Sequence, residues 1–147
     1  DKCEGLTSIT IPDSVASIGD SALNFCSVLT NVAIGDGVTS IGDYTFWGCT
    51  SLTGITIGNS VTSIGVDAFD SCTSLTSITI PDSVTSIEKR AFVRCKSLTT
   101  VTFLGDAPKI ANDAFEGSSP TIYREPDAKG WGDTLAGRPV KLITEKP

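Results

Sequence analysis

Apolar residues return along this chain in a cluster that repeats every 23 positions. Leu6, Leu29, Leu52, Leu75 and Leu98 open successive copies, followed by Ile9, Val32, Ile55, Ile78 and Val101, then Ile11, Ile34, Ile57, Ile80 and Phe103. A second group holds Val15, Val38, Val61 and Val84 with Ile18, Ile41, Ile64, Ile87 and Ile110. A third is an Ala-Phe pair, Ala68-Phe69, Ala91-Phe92 and Ala114-Phe115, with Ala22-Leu23 and Thr45-Phe46 as variants. Cys3, Cys26, Cys49, Cys72 and Cys95 close the pattern. A fixed period of roughly 20–50 residues marks a repeat array rather than a compact globular topology.

The pattern within one period predicts the elements. Segments such as Leu75-Thr76-Ser77-Ile78-Thr79-Ile80 are β-branched and alternate, as a half-buried strand does. Pro12-Asp13, Gly35-Asp36, Gly58-Asn59 and Pro81-Asp82 follow the strands and supply turns. Asp67-Ala68-Phe69-Asp70-Ser71-Cys72 has the character of a single helical turn, too short to stand alone. One repeat cannot bury its own apolar face, whereas stacked copies place parallel strands about 4.8 Å apart over one continuous core. The expectation is an α/β-type repeat solenoid, right-handed and of about five turns. Its parallel sheet would form one face and short helical turns the other.

The consensus Cys-x-x-Leu-x-x-Ile-x-Ile-Pro-x-x-Val-x-x-Ile-x-x-x-Ala-Phe-x-x-Cys resembles the 23-residue leucine-rich repeat of the BspA-like, or Treponema-type, group. The resemblance runs from residue 3 to about 117. It divides the chain into five stacked repeats, residues 1–117, and a C-terminal cap, residues 118–147. After Phe115 the register fails: Ser118 stands where the next Cys would, and Pro120 follows. Thr121-Ile122-Tyr123 can still pair as a last strand. The tail resembles the segment that closes such arrays, with Trp131 expected as a lid over Leu98, Val101 and Phe115. Because Asp1-Lys2-Cys3 falls in mid-repeat, the chain reads as a piece of a longer polypeptide.

Charge and composition narrow the chemistry. The net charge is −6, which opposes phosphate backbones and anionic lipid alike, so no nucleic acid partner is expected. No apolar run approaches the length a membrane helix needs, so no membrane insertion is expected either. Histidine is absent, which removes the usual general base and metal ligand. Many Ser and Thr are present without a base beside them, and no Gly-x-Ser-x-Gly elbow or phosphate-cradling loop occurs. A non-enzyme with no cofactor is expected. The cysteine file admits a metal site, disulfides or buried thiols. Thiols stacked in register point the same way and do not converge, so five reduced, buried cysteines are expected. Asp13, Asp36, Asn59 and Asp82 form a second file, read as turn chemistry rather than a Ca²⁺ site.

Two surfaces remain as candidates for function. Ser8, Thr10, Asn31, Thr56, Ser77, Thr79, Thr100 and Thr102 should project outward from the strands, interrupted by Ala33 and Gly54. Phe25, Tyr44 and Trp47 should lie on the side away from the sheet, as a contact surface or as cover for thin packing. The family resemblance implies a secreted or cell-surface protein that binds another protein, adhesion to host or extracellular-matrix ligands being the typical role. A structural spacer or self-stacking fibre subunit is the alternative, and the Thr ladder leaves ice or flat-surface binding as a third.

Overall fold

The computed structural model describes residues 5–145; Cys3, the first of the cysteine file, lies outside them. Each coil contributes a longer and a shorter strand. In chain order these are β1 (Ser8–Ile11), β2 (Asn31–Ile34), β3 (Ser40–Ile41), β4 (Gly54–Thr56), β5 (Ser63–Ile64), β6 (Ser77–Ile80), β7 (Ser86–Ile87), β8 (Thr100–Phe103) and β9 (Lys109–Ile110). The tail adds β10 (Thr121–Arg124), β11 (Thr134–Leu135) and β12 (Arg138–Leu142). Longer strands pair in parallel at the repeat spacing, Ile9 facing Val32 and Val32 facing Ile55. The shorter strands form a second parallel ladder, β3-β5-β7-β9, with Ile18 bridging to Ile41 at its start. The result is a parallel β-solenoid of about five coils.

The alternation read from sequence is what β6 shows: Ser77 and Thr79 exposed, Ile78 and Ile80 buried. The long-strand face divides into β1-β2-β4 and β6-β8-β10-β12-β11. The division falls at the coil whose strand opens with Gly54, a residue that weakens strand interiors. Inside, Phe46, Phe69, Phe92 and Phe115 stack along the axis with ring centroids 5.2, 5.1 and 5.5 Å apart. All four rings are buried, and each contributes roughly 1.5–3 kcal/mol by burial alone.

The third side is not helical, and this corrects the expected helical turns. Segments 20–25, 43–48, 66–71, 89–94 and 112–117 are turns. Their second or sixth positions carry positive φ on Ser21, Phe25, Tyr44, Asp67, Ser71, Arg90 and Arg94, and on Gly48 and Gly117. A right-handed helix tolerates no such residue. Alternate amides therefore bond within the turn or to the next coil. Ala22 N–H donates to Gly19 O, while Ser21, Leu23 and Phe25 donate to Asp43, Thr45 and Trp47 carbonyls at 2.8, 3.0 and 2.6 Å. Inter-coil bonding thus continues on the side where the sequence suggests a helix.

The cysteines also differ from expectation. Cys49, Cys72 and Cys95 are free and fully buried. Cys26 is buried but disulfide-bonded, so the array is not uniformly reduced. The free thiols donate to carbonyls of the preceding coil: Cys49 to Leu23, Cys72 to Phe46 and Cys95 to Phe69, at 3.2, 3.2 and 3.1 Å. Ser118 repeats the bond with its hydroxyl, donating to Phe92 O. The register therefore survives the Cys-to-Ser change, and β10 continues the ladder with Ile122 facing Val101.

Candidate functional site

The outward positions of the long strands are mostly where the pattern puts them. Ser8, Thr10, Asn31, Thr56, Ser77 and Thr79 are exposed and Thr100 is half-buried. Thr102 is the exception at 3% exposure. It sits in register between Thr79 and Tyr123, itself a buried residue, so the hydroxyl file closes over toward the tail. At the other end, Ser8–Thr10, Asn31–Ala33 and Gly54–Thr56 line a shallow depression. It exists because Ala33 and Gly54 carry little or no side chain there, and the Asn31 carboxamide oxygen lies 2.8 Å from where a Cβ on Gly54 would stand.

A different set of hydroxyls, one register earlier, is structural. Thr30, Thr53 and Thr99 Oγ1 donate to the carbonyls of Thr7, Thr30 and Thr76. Thr39, Thr62 and Thr85 do the same for the short-strand ladder. Carboxylates serve amides in the same inter-coil way. Asp13 accepts from Asp36 N–H and Asp36 from Asn59 N–H, at 2.8 and 3.0 Å. Asp20 accepts from Asp43 N–H and Asp43 from Val66 N–H, both at 2.8 Å. Asp13 and Asp36 of the acidic file thus serve the next coil and not, as expected, their own turns. Among the described residues no group of three or more His, Cys, Asp or Glu is arranged to hold a metal ion.

The turn side carries the large exposed side chains. Phe25 and Tyr44 are 45% and 37% exposed, and both lean on half-buried Trp47. The ring centroids lie 4.7 and 5.7 Å from that of Trp47, with planes tilted by 49° and 52°. Gly48 makes the cluster possible. Its φ is +76°, and a Cβ there would stand 2.5 Å from the Phe25 ring. Equivalent registers elsewhere hold small or polar residues: Gly48, Ser71, Arg94 and Gly117 for Phe25, and Ser21, Asp67, Arg90 and Asp113 for Tyr44. Trp47 corresponds to Asn24, Asp70, Val93 and Glu116, and exposed Val28 to Ser51, Ser74 and Ser97. The coil closes without these aromatics, so the scaffold does not require them.

Farther along the turn side two ion pairs replace the aromatics. Arg90 grips Asp67 through Nε and Nη2 at 3.0 and 2.9 Å, and Arg94 grips Asp70 at 2.9–3.2 Å. The carboxylates are almost fully buried, 1% and 2% exposed, while the guanidinium groups lie about half in solvent. The hydrogen bond and charge of Asp67 raise the Arg90 pKa further above its ordinary value. Sequence reading missed both pairs, since partners 23 and 24 residues apart become neighbours only after register is applied to the polar positions as well.

At the C-terminal end Trp131 packs against the core cluster that includes Leu98, Val101, Phe103 and Phe115. It is half-buried and packs edge-on against Phe103 at 5.1 Å, its indole N–H donating to Gly105 O at 3.2 Å. Arg138 ties the tail to the last turn, its guanidinium donating to Phe115 O and Ser118 O at 2.9 and 2.7 Å.

The architecture and repeat have clear counterparts. Among solved structures, a T. pallidum leucine-rich repeat protein is 25% identical with a TM-score of 0.73, matching 80% of this chain and 58% of its own. A leucine-rich cell surface protein from Faecalibacterium prausnitzii is 29% identical with a TM-score of 0.76, over 86% of this chain and 36% of its own. A leucine-rich repeat protein from Bacteroides ovatus is 34% identical with a TM-score of 0.59, over 81% and 37%. This chain therefore spans less than two thirds of each. No curated protein matches it. The BspA type leucine rich repeat region matches in six copies over residues 1–121, and the chain belongs to that family.

Proposed function

We propose that the chain is a non-catalytic protein-binding module of a secreted or cell-surface protein, and that the turn-side cluster of Phe25, Tyr44 and Trp47 is its principal contact surface. The observation that carries this is the departure from the repeat. Registers that hold Ser, Gly, Asp, Asn, Glu, Arg or Val in other coils hold exposed Phe25 and Tyr44 and half-buried Trp47 in the first two. Aromatic anchors on a rigid frame lose little conformational entropy on binding and dominate interface energetics. The cell-surface relative from F. prausnitzii supports the location, and adhesion to host or extracellular-matrix proteins is the role proposed.

A second reading keeps the long-strand face, favoured by the depression at Asn31, Ala33 and Gly54. Capture on surfaces coated with extracellular-matrix proteins separates the two. Phe25→Ser, Tyr44→Ser and Trp47→Asn import residues that other coils already carry at those registers. That triple swap should abolish capture, while Thr56→Arg with Thr79→Arg leaves it intact. The reverse outcome moves the contact surface to the strands.

A further inference from the structure

The aromatic cluster lies in the acidic part of a chain whose charge is unevenly spread. Residues 1–87 contain nine Asp or Glu and a single base, Lys2, whereas residues 88–147 contain eight acidic and ten basic residues. The first part therefore carries a net charge of −8 and the second +2. The two ion pairs cross this boundary, and with them neutralised the two parts carry −6 and 0. Among the described residues the ion pairs are Arg90–Asp67 and Arg94–Asp70, so these acids are compensated while Asp20 and Asp43 are not. Asp43 is the residue before Tyr44, and its amide is held by the Asp20 carboxylate. The exposed rings thus share their coils with uncompensated carboxylates.

From this arrangement we infer that the Phe25–Tyr44–Trp47 surface docks a basic, lysine- or arginine-bearing segment of a partner protein, an inference that rests on the protein-binding reading above. Ring faces attract cations, Trp most strongly, and the surrounding negative potential steers and retains them. Arg90 and Arg94 bound the surface along the axis. They repel a cationic segment that slides toward the tail and so fix where it sits. An acidic segment finds the opposite: net negative coils, and guanidinium groups already engaged by buried Asp67 and Asp70.

The test is fluorescence anisotropy with a fluorescein-labelled peptide of alternating lysine and serine, and a glutamate-serine peptide as its counterpart. The lysine peptide should bind and the glutamate peptide should not. Binding should weaken by about tenfold as salt rises from about 50 to about 500 mM. The triple swap Phe25→Ser, Tyr44→Ser, Trp47→Asn leaves the net charge unchanged, yet it should also weaken binding about tenfold or more. Asp20→Asn with Asp43→Asn keeps a side-chain oxygen for the backbone amides and should weaken it severalfold. If the swap leaves lysine-peptide affinity unchanged, attraction is diffuse and the inference fails. If the peptide does not bind while matrix proteins are still captured through the aromatic cluster, the basic-segment inference alone falls. If the swap alters neither, the reading beneath it falls as well.

Discussion

Each free thiol is both a space-filler and a donor, and burial holds it neutral. Desolvation pushes Cys49 up to about 11 and Cys95 up to about 12 from the ordinary 9.0, and raises Cys72 as well. Unfolding returns these thiols toward the ordinary value, so the folded state binds its protons more tightly. Stability is then fully present below about pH 9 and falls as pH rises toward 11–12. Melting temperatures recorded across that range should drop, and the drop should be shallower when Cys49, Cys72 and Cys95 are replaced by Ser. Thiol titration in denaturant should find Cys49, Cys72 and Cys95 reactive at once and Cys26 only after reductant, in keeping with the disulfide at Cys26. The cysteine positions were legible as a buried file, because register alone sets them. The disulfide at Cys26 was not, because in-register stacking argues against pairing within the file.

At the level of elements, the coils are tied on three sides: two strand ladders and the positive-φ turns. The strands could be read directly, since alternation over residues such as Ser77–Ile80 reports burial. The turns could not. Asp67–Cys72 has the composition of a helical turn, and only the inter-coil bonds of Asp67, Phe69 and Ser71 show why the chain adopts another path. The Phe stack is the strongest single element. Phe69→Ala should cost about 3–5 kcal/mol, read from denaturant unfolding. Trp131→Ala should cost less, about 1–2 kcal/mol, because its ring is only half-buried against Phe103. The ion pairs give a sharper contrast. Arg90→Ala strands the buried Asp67 carboxylate, so adding Asp67→Asn to that variant should raise its melting temperature.

For the whole molecule, family and coil number follow from the period, but the working surface does not, because recognition resides where the period is broken. Phe25, Tyr44 and Trp47 were visible as exposed candidates; their contact with one another across coils needed the structure. The tail end of the array disfavours self-stacking. Its last strand β12 carries Pro139 and Lys141, and β11 covers part of its edge in antiparallel pairing. Sedimentation at micromolar concentration should therefore show a monomer, and a ladder of larger species would favour the fibre reading. The central claim is that the aromatic cluster serves recognition and is dispensable to the fold. Thermal unfolding of the triple swap Phe25→Ser, Tyr44→Ser, Trp47→Asn tests it most directly. A melting temperature lowered less than by Phe69→Ala alone is predicted, while a larger fall would show that these rings hold the coils together and would contradict the account.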